Sequence, residues 1–181
     1  FSACAFVGCG EKKGNSGNDN ELNIIDDNYR NWYEVFVRSY YDSNNDGIGD
    51  LKGLEQKLDY ISEMGFNGIW LMPVCQSKTY HKYDVVDYYT IDKEYGTNED
   101  FKSMIKAAHE KGINVIVDLV LNHSSSSNEW FRKATTALKN GETSGENAKY
   151  IEYYNFSQTA QSGYKPVPNT SYYYECRFSD N

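Results

Sequence analysis

Apolar and polar residues change period along this chain, and the changes mark out its elements. After Trp32, where order is expected to begin, Val35-Phe36-Val37 with Arg38-Ser39-Tyr40 reads as a first strand. Over Leu51–Met64 the apolar residues fall at Leu51, Leu54, Leu58, Ile61 and Met64, the spacing of one helix face, and Gly65 closes it. Gly68–Met72 (GIWLM) predicts a second strand, stopped by Pro73. Asn98 is placed to cap a helix running through Ala107-Ala108 to Lys111, with Glu99 and Asp100 in its first turn and Gly112 just past its end. Val115-Ile116-Val117, continued by Leu119-Val120-Leu121 around Asp118, predicts a third strand buried on both faces. Beyond Ser124 the pattern breaks down. A short helix is predicted over Asn128–Leu138, followed by Tyr-rich irregular stretches at Ala148–Phe156 and Tyr164–Phe178.

The order β-α-β-loop-α-β, with long loops after the strands, predicts an α/β fold with a parallel sheet and right-handed crossovers. A (β/α)8 barrel takes about 250 residues, so this chain would supply about three β/α units of one. With a first residue Phe1 and no closing element before Asn181, it is expected to be a fragment.

Composition narrows the function classes. A net charge of −8 argues against a nucleic-acid footprint. The 17 Tyr outnumber the 8 Phe and 3 Trp, and rings bearing a hydroxyl suit a sugar-lined cleft as well as ordinary amphipathic surfaces. Phe1–Cys9 is a short apolar piece that looks like the end of a secretory signal, too short to span a bilayer. Both Phe1-Ser2-Ala3-Cys4 and Phe6-Val7-Gly8-Cys9 resemble a bacterial lipobox, and Cys9 is favoured as the lipidated residue because polar sequence starts straight after it. Residues 10–31, rich in Gly, Asn and Ser, read as a flexible tether. The expectation is a lipoprotein held outside the bacterial cell membrane. Cys75 and Cys176 are too few for a disulfide framework, and whether they pair stays open.

Three stretches carry candidate chemistry. In Asp42-Ser43-Asn44-Asn45-Asp46-Gly47-Ile48-Gly49-Asp50, oxygen-bearing side chains alternate and a Gly sits at the sharp turn, the spacing of a calcium loop. The expected ligands are Asp42, Asn44, Asp46 and Asp50 by side chain and Ile48 by its carbonyl. Gly53 stands where an EF-hand needs Glu, so this is a calcium loop on a β-to-α connection, and the Ca2+ would be structural. An alternative without metal is a plain acidic turn. Asp118 lies inside an apolar strand, where an ionisable group needs a partner, and Asn122-His123 follow at the carboxyl end, where parallel α/β folds handle ligands. The alternative is a hydrogen-bonded core Asp followed by a loop His. The loop after strand two carries His81-Lys82-Tyr83-Asp84; Tyr83 would stack on a sugar ring while Asp84 or His81 bonds a hydroxyl, the alternative being plain surface packing of an aromatic loop.

Taken in order and spacing, YEVFVRSYYDSNNDGIGD, GIWLMPV, YHKYDVVDYY and DLVLNHSS resemble the α-amylase family, glycoside hydrolase family 13, closest in look to bacterial α-amylases and the neopullulanase and oligo-1,6-glucosidase groups. The resemblance covers Trp32–Ser125 densely. It implies a retaining glycosidase on a TIM barrel, with residues 32–123 as the first part of the catalytic barrel and 124–181 as part of the family's variable B domain. It further implies that Tyr83 stacks on the sugar at the cleavage site and His123 bonds its hydroxyl. Asp118 would orient an arginine lying further on, Asn122 would tie the B domain to the strand end, and Asp84 would fix the sugar's outer end. The family's nucleophile, acid/base and third carboxylate follow later strands, so no catalytic residue is assigned here. Glu129, Glu142, Glu146, Glu152 and Asp180 match no catalytic motif. The expected ligand is an α-glucan oligo- or polysaccharide, and the chain alone is expected to be inactive. The alternatives are a glycan-binding surface lipoprotein without catalysis, or a transglycosylase or isomerase of the same family.

Overall fold

The computed structural model describes residues 30–176. In chain order they form β1 (Trp32–Val35), α1 (Leu51–Gln56), α2 (Leu58–Glu63), β2 (Gly68–Leu71), β3 (Cys75–Ser77), β4 (Val85–Ile91), α3 (Asn98–Glu110), β5 (Asn114–Val117), α4 (Glu129–Asn140), β6 (Phe156–Ser157), β7 (Tyr164–Pro166) and β8 (Tyr173–Glu175). Cys4, Cys9 and the tether lie outside the described residues, as does Asp180. Two compact units emerge, residues 30–74 with 93–118 and residues 75–92 with 119–176. The division therefore differs from the linear one at 123/124, because the segment 75–92 groups with the later residues.

In the first unit, β1, β2 and β5 make a parallel sheet with β2 in the centre. Val35 and Leu71 share one row of its covered face, and Ile69 lies in the next. All three are buried, along with Leu51, Leu54, Leu58 and Ile61 of α1 and α2 and Phe101 and Met104 of α3. The other face is open: Glu34, Trp70 and Ile116 form one row, with Trp70 40% and Ile116 46% exposed. The expected burial of β5 on both faces is thus corrected, since only one face has helices on it. The strand is also shorter than its apolar run. Pairing ends at Val117, and Leu121 is 77% exposed.

β1 ends at Val35, where the expected strand begins; past it the chain makes a 3-10 turn, Val37–Ser39, closed by the Tyr40 N–H on the Val37 carbonyl at 3.1 Å. Local rules account for the helix boundaries. The single helix expected over Leu51–Met64 is two, broken at Lys57 (φ −103°, ψ 6°), whose N–H turns back to the Leu54 carbonyl at 3.0 Å. The buried stripe survives the break because Leu54 and Leu58 stay on one face. α3 is capped by Thr97 rather than Asn98. The Thr97 hydroxyl accepts from the Asp100 N–H at 3.1 Å while Asp100 Oδ2 accepts from the Thr97 N–H at 2.9 Å, a reciprocal capping box.

The second unit is built on aromatic rings. β3 and β4 form an antiparallel hairpin with an irregular register, where the sequence suggested only a loop. Asn128 caps α4 through the Trp130 N–H, and Gly141 ends it in the left-handed conformation. Ala134 and Ala137 of α4 are fully buried. The Phe131 ring meets Tyr154 and Tyr174 edge-on and stacks with Phe156. The Tyr-rich region is a 3-10 turn, Ala148–Tyr153, and a small antiparallel sheet in the order β6-β8-β7. Cys75 and Cys176 are not bridged to each other. Among the described residues no helix is long and apolar enough to cross a membrane.

Candidate functional site

The hairpin of the second unit presents His81-Lys82-Tyr83-Asp84 at its tip. Short-range bonds shape the approach: the Thr79 N–H donates to Ser77 Oγ at 3.2 Å, and the Tyr83 N–H donates to His81 Nδ1 at 3.1 Å. His81 therefore keeps Nδ1 as an acceptor. His123 then reaches the same loop. Its Nε2 lies 3.1 Å from the Tyr83 carbonyl oxygen, which can only accept, so this nitrogen carries the proton. The Asn122 amide nitrogen faces His123 Nδ1 at 3.2 Å and donates to it.

Tyr88, on β4, fixes the segment that carries His123. Its hydroxyl donates to the Val120 carbonyl at 2.7 Å and is 2.9 Å from that of His123. Burial pushes the phenol well above the usual tyrosine range, so it remains a donor at any ordinary pH. Its ring stacks on Trp130 at 5.4 Å with 14° between planes. Sequence reasoning missed Tyr88 and Trp130. The β-branched and aromatic run Val85–Ile91 was the signal that a strand, not a loop, carries Tyr88.

His81, Tyr83, Asp84, Asn122 and His123 thus belong to one unit, and His123 touches Tyr83 directly. The half-buried Tyr83 ring lies 6.0 Å from the His81 ring, tilted 36°. The half-buried Asp84 carboxylate has no hydrogen bond or ion pair among the described residues. A flat ring, imidazoles with defined protons and an uncommitted carboxylate suit a neutral ligand rich in hydroxyls. Asp118 belongs to the other unit, where its Oδ1 accepts from the Trp70 indole N–H at 2.7 Å. That bond answers the need for a partner that its apolar setting raised.

The acidic loop, also in the first unit, folds around its own side chains. Asp42 Oδ1 accepts from the N–H groups of Asn44 at 3.0 Å and Asn45 at 2.7 Å, and its Oδ2 accepts from Gly47 at 2.7 Å. These bonds, that from Gly47 foremost, hold the Asp42 carboxyl below the usual carboxylate range. Asn44 Oδ1 accepts from the Asp46 N–H, and Asp46 Oδ1 from that of Ile48. Asp50, expected as a metal ligand, has another task. Buried, it caps α1 through Gly53 N–H at 2.6 Å and binds the Ser43 N–H and hydroxyl with its other oxygen. Among the described residues no three Asp, Glu, His or Cys side chains are gathered for a metal ion. The fit to a hard cation is therefore partial. Asp42, Asn44, Asp46 and the Ile48 carbonyl offer four oxygens where calcium takes six to eight, so water would supply the rest.

The sequence profile described as "Alpha amylase, catalytic domain" matches residues 34–180. Alpha-amylase 3 of Dictyoglomus thermophilum is 45% identical over 149 residues, 81% of this chain and 27% of its own length. The 4-alpha-glucanotransferase of Thermotoga neapolitana is 47% identical over 102 residues, 56% of this chain and 23% of its own. Among solved structures, Eubacterium rectale Amy13B superposes with a TM-score of 0.80 at 52% identity, covering 89% of this chain and 32% of that one. The chain spans only 23% to 32% of the length of these relatives.

Proposed function

The chain belongs to the alpha-amylase family of glycoside hydrolases, its parallel sheet being the opening portion of that family's (β/α)8 barrel, and from this we propose that it carries one side of an α-glucan-binding cleft. The observation that supports this best is the His123–Tyr83 contact beside a free Asp84. Tyr83 stacks on a pyranose ring, while Asp84, His81 and His123 bond its hydroxyls. To donate to a sugar, His123 exchanges the Tyr83 carbonyl for a ligand oxygen of like acceptor strength. Asp118, held by Trp70, is the orienting carboxylate, and Asn122 steadies the His123 ring.

Retaining glycosidases need a nucleophilic carboxylate and a carboxylic acid roughly 5 Å apart. Glu129 pairs with Lys133 at 2.8 Å, and like Glu142, Glu146, Glu152 and Asp180 it stands in no catalytic motif. These 181 residues accordingly bind glucan without cleaving it. A structural Ca2+ held by Asp42, Asn44, Asp46 and the Ile48 carbonyl stiffens the acidic loop, with Asp50 shaping it from beneath. The Phe6-Val7-Gly8-Cys9 lipobox and the tether behind it support anchoring at Cys9 on the outer side of a bacterial membrane.

Calorimetric titration with maltoheptaose tests the reading. Binding by the chain, at least tenfold weakened by Tyr83→Ala (about 1.4 kcal/mol), with no reducing sugar released from starch, is the expected result. An unchanged affinity in Tyr83→Ala overturns the cleft assignment, and sugar release above a mock control overturns the inactivity.

A further inference from the structure

Resting on the glucan reading above, we propose that Lys82 and Asp92 are a positioning pair that sets the Tyr83-Asp84 loop in its ligand-binding shape without touching the ligand. Lys82 sits between two candidate sugar-contacting residues, yet its side chain is only 3% exposed and that of Asp92 4%, with 3.1 Å between Nζ and Oδ2. The same Asp92 oxygen accepts the Ser77 N–H at 2.9 Å. Asp92 follows β4 and Ser77 ends β3, so one carboxylate joins the strands of the hairpin to the tip of its loop. All three residues belong to the second unit.

Lys82 is also one of three non-glycine residues with positive φ among those described, at +64°. A side chain with a Cβ is unfavourable there, and an ammonium taken out of water is costly. A buried ion pair roughly offsets that desolvation and adds little net stability; what it does fix is a single arrangement. Two unfavourable features at one residue thus yield geometry. The left-handed turn at Lys82 reverses the chain, so that the Tyr83 N–H falls on His81 Nδ1 and the Lys82 N–H returns to the Thr79 carbonyl at 3.3 Å. The Tyr83 carbonyl is thereby presented to His123. An apolar residue at position 82 would fill the space without choosing this turn.

The test compares Lys82→Gly, Asp92→Asn, their double variant and Tyr83→Ala in the full chain, by maltoheptaose titration alongside thermal unfolding. Glycine adopts positive φ freely, so Lys82→Gly removes the ion and spares the backbone. Each single variant is expected to bind about tenfold more weakly while its unfolding midpoint stays above the assay temperature. The double variant should lose no more than either single one, because both remove the same device. Affinity within twofold of the unaltered chain in Lys82→Gly, with Tyr83→Ala impaired, overturns the positioning role and leaves the glucan reading standing. Tyr83→Ala binding as well as the unaltered chain removes the glucan reading, and this proposal with it. Additive losses, or a Lys82→Gly chain unfolded at the assay temperature, make the pair a folding element and overturn the proposal as well.

Discussion

Two loops of similar polarity are held in shape by opposite means. Inside the acidic loop, the bonds from Asp42, Asn44 and Asp46 reach two to five residues along the chain. The hairpin loop is closed by His123, forty residues away from Tyr83 in sequence, and by Asp92 from the end of its second strand. A loop folded on its own side chains keeps its shape when its surroundings change. One closed by distant residues has a shape only as good as theirs, which suits a site that must register several side chains against one ligand.

The largest test of that contrast lies where the acidic loop stops being self-sufficient. Its stem runs against α1 so closely that a Cβ on Gly53 would stand 2.0 Å from the Tyr41 carbonyl oxygen. Backbone cannot yield as a side chain tip does. Gly53→Ala is therefore expected to destabilise the chain by about 3 kcal/mol in urea unfolding, and a loss under about 1 kcal/mol would mean that the stem is freer than described. Next comes Tyr88→Phe, which leaves the Val120 and His123 carbonyls without their shared donor. About 1–2 kcal/mol should be lost, and amide resonances should shift at His123 and Tyr83 but not at Asn44–Ile48. Shifts spreading into the acidic loop would break the contrast.

The smallest effect belongs to Asp42. Its folded pKa lies below the ordinary value near 4, so its contribution is present above that value and is lost as pH falls through the depressed one. Acid titration followed by NMR should disturb the amides of Asn44, Asn45 and Gly47 first, with little change in the global midpoint. Calcium should protect these amides from acid, and Asp42→Asn should abolish the protection. Equal protection by magnesium or sodium would replace the calcium assignment with simple screening.

This difference also explains what could be read in advance. The acidic loop was legible because alternating Asp and Asn next to Gly states its own geometry, and the helix faces were legible because Leu51, Leu54, Leu58 and Ile61 repeat at helix spacing. Tyr83, Asp84 and His123 were legible as residues but not as a contact, since nothing local links positions forty apart. Where apolar runs and single cap candidates were read one residue at a time, the reading slipped. Leu119 and Leu121 look like strand yet stay exposed beyond β5, and Thr97 displaces Asn98 as the cap because Asp100 reciprocates. Asp50 was legible as a carboxylate but not in its local bonding. A carboxylate at that spacing suits a metal or a helix start, and the buried Gly53 N–H shows that it serves the helix start.

A left-handed lysine paired with a buried aspartate restricts how this loop can change over generations. Exchanging position 82 for glycine eases the backbone but strands a charge at position 92, while neutralising position 92 alone strands one at position 82. Either step made singly is penalised, so the two sites should alter jointly or not at all.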